Sequence, residues 1–392
     1  MNQTTETGSR TAIAESREPG GSATASLFAP LTFARGPASR NRFLLAPLTN
    51  QQSLDDGSLS QDEETWLTKR AEGGFGMVMT AAAHVQAVGQ GFAGQLGIFS
   101  DDHLPGLTRL ARALKAGGAL AWVQLHHAGI RAAKDIVPVP VGPSDDGETG
   151  SRALSLDEVE ALRDDFIRAA LRAEAAGFDG VEVHGAHGYI LTQFLAEPTN
   201  RREDRYGGSL ADRSRLLFEI VDGIRSQCRN NFQIGVRLSP ERYGLATGEM
   251  IDIAGRLLAE QTIDFLDLSL WDAGKEPEDA RLKGRSLLSH FAGLPRGAVR
   301  LGAAGKIMDG GTAAHMIAEG CDFVAIGRAG ILRHDFPERV RRDPAYASPE
   351  LPVTVQHLLD EGVGSRFIGY LGQWPGFVRP EQDQTGTRPN DG

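Results

Sequence analysis

Eight short apolar runs, each followed by an amphipathic stretch, recur between residues 43 and 326 and constrain the fold more than any other feature. They are Phe43–Ala46, Gly76–Thr80, Ala119–Gln124, Gly180–His184, Gln233–Leu238, Phe265–Ser269, Val299–Gly302 and Phe323–Ile326. Most are continuously apolar, as strands buried on both faces of a parallel sheet must be. The stretches between them carry helix signals. Ser155 with Glu158 three residues later forms a capping box, Gly177 closes that helix, and Ser209 and Thr312 are expected caps of later ones. Eight βα units either close into a (β/α)8 TIM barrel or lie open as a doubly wound sheet. The open form carries a glycine fingerprint after its first strand, and Ala46-Pro47-Leu48-Thr49 stands there instead. An α/β fold with one barrel over residues 25–345 is expected.

Such a barrel takes roughly 250 residues, and the chain has 392. Residues 1–24 and 380–392 are polar, without apolar periodicity, and are expected to be disordered. Residues 346–379 form an aromatic extension around Arg366-Phe367-Ile368-Gly369-Tyr370-Leu371-Gly372-Gln373-Trp374. It either covers a second copy in a homo-oligomer or packs back on its own barrel. The glycine content, 48 residues, exceeds the ordinary share of about 7% and suits many tight βα turns.

A net charge of -10 excludes a phosphate-backbone partner, because nucleic-acid binding needs a basic face. Cys228 and Cys321 are the only cysteines, too few for a disulfide framework or a four-thiolate iron–sulfur site. No apolar run reaches eighteen residues and no signal peptide is recognisable, so a cytoplasmic protein with no membrane partner is expected.

Barrels of this kind do chemistry at the C-terminal ends of their strands. There the third and fourth runs continue into Gln124-Leu125-His126-His127-Ala128-Gly129 and His184-Gly185-Ala186-His187-Gly188-Tyr189. The fifth ends with Arg237, and the last two lead into Gly305-Lys306 and Gly327-Arg328. Glycine beside a cation, where barrels bind phosphate, points to a phosphorylated cofactor. His184 and His187 are also half of a metal site, which Glu182 or His126-His127 would have to complete. His126 and His127 read equally well as core residues.

These motifs, with Asn41-Arg42-Phe43, Leu96-Gly97-Ile98, Asp101-Asp102-His103, Asn200-Arg201-Arg202 and Arg205-Tyr206-Gly207-Gly208-Ser209, resemble the old yellow enzyme family from about Leu27 to Asp343. The resemblance implies non-covalent FMN, with NAD(P)H as hydride donor and an α,β-unsaturated carbonyl compound as acceptor. It implies that Ala46, Pro47, Leu48, Thr49 and Ala82 line the flavin edge, that Gln124 and Arg237 contact its pyrimidine side, and that Gly305, Lys306, Gly327 and Arg328 hold its phosphate. His184 and His187 would bind the substrate carbonyl and Tyr189 would protonate the α-carbon, with Trp271 as a pocket wall. Some members run the same chemistry oxidatively, and a redox-neutral flavin-assisted isomerisation is a further alternative. Two departures stand out. Asn50-Gln51-Gln52 lies where compact members carry a clamping tyrosine, and Ile130 lies where an arginine often follows His-x-Gly.

Overall fold

The computed structural model describes residues 24–380. Eight parallel strands close into a barrel: β1 Phe43–Leu45, β2 Met77–His84, β3 Leu120–His126, β4 Gly180–Gly185, β5 Gln233–Leu238, β6 Phe265–Ser269, β7 Arg300–Ala304 and β8 Phe323–Ile326. Each strand lies between its neighbours in sequence, and β8 pairs with β1 to close the ring. The single-domain (β/α)8 barrel expected from the sequence is therefore the fold. The expected disordered ends, except residues 24 and 380, fall outside the described residues. No helix among the described residues is long and apolar enough to cross a membrane.

All eight expected runs are strands; β5, β6 and β8 keep the expected bounds, the ends of β1, β3, β4 and β7 move by one or two residues, and β2 gains four at its C-terminal end. β2 does not stop at Thr80 but continues to His84 through a register shift between Met79 and Ala82, which sets Ala82 beside Gln124. Bulges re-aim residues in this way at barrel rims. β7 runs from Arg300 to Ala304, two residues past the expected end. Helix Leu156–Ala175 starts at the Ser155–Glu158 capping box, and Ser209 caps Leu210–Gln227, both as expected. Thr312 is not a cap. Asp309 takes that place before helix Gly310–Ala318 and accepts from the Thr312 N–H at 2.7 Å, because a carboxylate also gains from the positive end of the helix.

The lower half of the barrel is solid. Trp122 and Phe265 stack with centroids 4.3 Å apart, and Phe33, just before β1, lies edge-on to Trp122 at 5.6 Å. Glycines on adjacent strands make room: a Cβ on Gly235 would come within 2.0 Å of the Phe265 ring, and one on Gly302 within 2.1 Å of Phe323. With its N-terminal end filled, the barrel keeps its usable space at the C-terminal mouth.

The segment after residue 346 packs back on its own barrel. Phe367 and Leu371 of helix Ser365–Gly372 are buried, and Phe367 meets Trp66 edge-on at 5.5 Å. Arg70, itself fully buried, donates to the carbonyls of Trp66, Gly330, Ile331 and Glu361 and so ties this segment to the short helix Arg328–Leu332 after β8.

Candidate active site

A cavity of about 900 Å³ opens at the C-terminal mouth. All the residues expected at the site line it: Ala46, Pro47, Leu48, Thr49, Ala82, Gln124, His184, His187, Tyr189, Arg237, Trp271, Gly305, Lys306, Gly327 and Arg328. Sequence positions nearly 300 apart meet because parallel closure brings every strand's C-terminal end to one rim. His126 and His127 do not line it. They are buried, with His126 Nδ1 3.0 Å from Gln95 Nε2 and His127 Nδ1 accepting from the Gly129 N–H at 3.0 Å. No group of three or more potential metal-binding side chains forms among the described residues.

Under the cavity floor lies a charged network. Gln124 stands beside Glu182, His184 beside Arg237, and Arg237 beside Asp267 in the strand register. Gln124 Nε2 donates to Glu182 Oε2 at 2.6 Å, which leaves the Gln124 carbonyl with spare hydrogen-bonding capacity. Arg237 Nε is 3.3 Å from Asp267 Oδ2. Glu182 and Asp267 are completely buried and within hydrogen-bond reach of each other. Burial, then the Asp267 charge, holds the Glu182 carboxyl far above its ordinary range, and burial raises Asp267 as well. Two acceptor-only groups face to face need one proton between them. With that proton, the pair balances the single charge of Arg237.

Above this floor three rings converge. His184 Nε2 and His187 Nδ1 are 3.3 Å apart, and the Tyr189 ring lies 5.3 Å from His184 and 6.4 Å from His187. Both imidazoles are neutral at physiological pH. Burial pushes His187 down to about 3 and His184 well below its ordinary value. Burial raises the Tyr189 phenol above its ordinary value, so it keeps its proton. Ser269 Oγ lies 2.6 Å from His187 Nε2. With that hydroxyl accepting, the His187 proton lies on Nε2 and His187 Nδ1 is left to accept from His184. His184 Nδ1 is buried without a partner among the described residues, so its proton belongs on Nε2, since an orphaned N–H costs more than a bare lone pair.

The opposite rim carries Gly305, Lys306, Gly327 and Arg328. A Cβ on Gly327 would meet only Leu48 Cδ2, at 3.6 Å, so glycine leaves this wall open. Arg328 has no ion pair or hydrogen bond to its side chain among the described residues, whereas Lys306 Nζ is held by Asp272 Oδ2 at 2.9 Å. Of the two cations expected here, Arg328 carries the free charge. Four non-glycine residues of the lining, His187, Tyr243, Trp271 and Lys306, have positive φ of 63°, 55°, 69° and 51°. Such conformations cost about 1–3 kcal/mol each and cluster where function fixes them.

Asp267, Ser269, Arg131, Tyr243, Tyr370 and Trp374 belong to this site and were not read from the sequence as part of it. Asp267 had a signal: a carboxylate inside the apolar run Phe265–Ser269 must be buried, and a buried charge needs a partner.

The model of the NADH:flavin oxidoreductase / NADH oxidase family matches residues 26–345. The chain belongs to this family. It is 38% identical over 335 residues to the probable NADH-dependent flavin oxidoreductase YqiG of Bacillus subtilis (strain 168), covering 80% of this chain and 87% of that protein. It is 32% identical over 350 residues to an NADPH dehydrogenase of Geobacillus sp. (strain WCH70), covering 87% and 99%. Among solved structures, morphinone reductase in complex with tetrahydroNAD superposes with a TM-score of 0.72 at 29% identity, over 91% of this chain and 98% of that one. This family member is thus an old yellow enzyme-type oxidoreductase that uses FMN and NAD(P)H. The cavity fits the cofactor on its own evidence: an open wall at Gly327, a free guanidinium at Arg328, and an amide and a guanidinium at the strand ends.

Proposed function

We propose that the enzyme reduces the C=C bond of α,β-unsaturated carbonyl compounds. The observation that carries this reading is the convergence of the His184 and His187 ring nitrogens with the Tyr189 phenol over the Gln124–Arg237 floor. Bound FMN would supply the hydride, drawn from NAD(P)H, to the β-carbon of the substrate. Gln124 and Arg237 would hold the pyrimidine side of the ring system, Thr49, Ala82 and the Ala46–Leu48 turn its other edge, and Gly305, Gly327 and Arg328 its phosphate.

The protein groups do the rest. His184 Nε2–H, and His187 Nδ1–H once the Ser269 hydroxyl turns to donate to His187 Nε2, can both reach one carbonyl oxygen, where negative charge grows as the β-carbon is reduced. Because both rings are neutral, they donate without surrendering a proton to that oxygen. Tyr189, protonated through its burial, delivers its proton to the α-carbon. Trp271, Tyr370 and Trp374 wall the mouth.

Anaerobic mixing tests the proposal. NADH or NADPH should bleach the flavin, and 2-cyclohexenone should restore its colour. Tyr189→Phe should slow only the second step, by about a hundredfold or more. Equal losses in both steps, or turnover that needs no reductant, would overturn the proposal, the latter in favour of an isomerase.

A further inference from the structure

The cavity lining contains no aspartate or glutamate and four cations, Arg131, Arg237, Lys306 and Arg328, in a chain whose net charge is -10. Two of these are already matched, Arg237 by Asp267 and Lys306 by Asp272. Arg328, after β8, stands at the phosphate rim. Arg131 remains, and it follows β3, three strands around the barrel from β8 through β2 and β1. One phosphate group cannot satisfy both.

Arg131 sits on the substrate side. Its guanidinium carbon lies 5.3 Å from the centroid of the Tyr189 ring and 5.9 Å from that of Tyr243. Its one hydrogen bond among the described residues runs from Nη1 to the His187 carbonyl at 3.2 Å, and it has no carboxylate partner there. Five N–H donors with one in use leave the planar fork open to a two-oxygen anion. Its charge reaches His126, His187 and Tyr189. The neighbouring cation at the mouth, Arg242, is engaged by Glu278 at 3.3 Å and stacks on Trp271 at 4.7 Å, so it offers no equivalent fork.

We propose that Arg131 selects substrates bearing a carboxylate, held on the α-carbon side of the reducible bond beside Tyr189. The assignment rests on the ene-reductase reading above. It names the substrate class as unsaturated ketones or aldehydes with a pendant carboxylate. Tyr243 and Tyr189 flank the guanidinium, which stays exposed at the mouth and open to an entering anion.

The test uses the holoenzyme with (6-oxocyclohex-1-en-1-yl)acetate and its methyl ester, together with 2-hydroxyphenylacetate and its methyl ester as non-reducible ligands followed by the flavin spectrum. The acid should exceed the ester in kcat/KM, and its phenolic counterpart in affinity, by about tenfold or more. Arg131→Gln should collapse both ratios to near one, and Arg131→Lys should keep part of them, since charge stays but the fork is lost. Flavin reduction by NADPH should show no comparable loss. Equal acid and ester in the wild type, or equal losses of both in Arg131→Gln, would overturn the proposal and leave Arg131 a packing residue. A loss confined to NADPH would assign Arg131 to the dinucleotide diphosphate and also overturn it. If neither enone reoxidises the reduced enzyme, the failure lies with the ene-reductase reading, and the phenol ratio alone decides for Arg131.

Discussion

Glu182→Gln isolates the proton shared beneath the cavity. In the native protein the buried Glu182–Asp267 pair keeps a proton at pH values where an unfolded chain has given it up. The native state therefore binds more protons than the unfolded one above the ordinary carboxyl range, and stability falls as pH rises there, by up to about 1.4 kcal/mol per pH unit. From pH 5 to 7 that is a loss of up to about 2.7 kcal/mol, present in the wild type and absent in a variant with nothing to titrate. Glutamine preserves the contacts: its carbonyl accepts from Gln124 and its amide donates to Asp267, as the protonated carboxyl does. Urea denaturation of apoprotein and FMN-saturated protein, measured at intervals from pH 4.5 to 8, should show the variant gaining on the wild type with rising pH. Asp267→Asn should behave similarly, because either member can be the neutral one. The double variant should not, since Arg237 would then be a buried cation without a counter-charge, at a cost of about 3–5 kcal/mol. Parallel pH curves for Glu182→Gln and wild type, or a double variant equal to the sum of the singles, would refute the shared proton.

Two further outcomes follow from buried groups elsewhere. His84, His127 and His187 are held neutral by burial, at about 4, 3 and 3, so the unfolded chain takes up protons first as pH falls below about 6.5 and stability drops toward pH 4, opposite in sign to the Glu182 effect. Replacing His127, outside the cavity, by Gln should flatten that acid limb in urea titrations, and an unchanged slope would contradict its neutral state. Arg70→Leu strips donors from four carbonyls and should cost about 3 kcal/mol or more while exposing residues 346–379 to protease; a loss below about 1 kcal/mol would mean the segment docks without it.

The local pattern of the sequence determined the eight strands, their parallel order and thereby the mouth. Once strand ends share one rim, residues as distant as Ala46 and Arg328 fall into one cavity without any knowledge of contacts. Periodicity and caps are properties of a few neighbouring residues, so they are legible in one chain. Partnerships are not. That Lys306 spends its charge on Asp272, that Asp267 and Glu182 meet beside Arg237, that Ser269 lies against His187 Nε2, and that Tyr370 and Trp374 return to the mouth all depend on register and loop course between segments far apart in sequence. Even the Asp309 cap was decided by which of two nearby oxygens the turn after β7 presented to the helix. Burial sets the protonation of each group, and burial exists only once the barrel has closed.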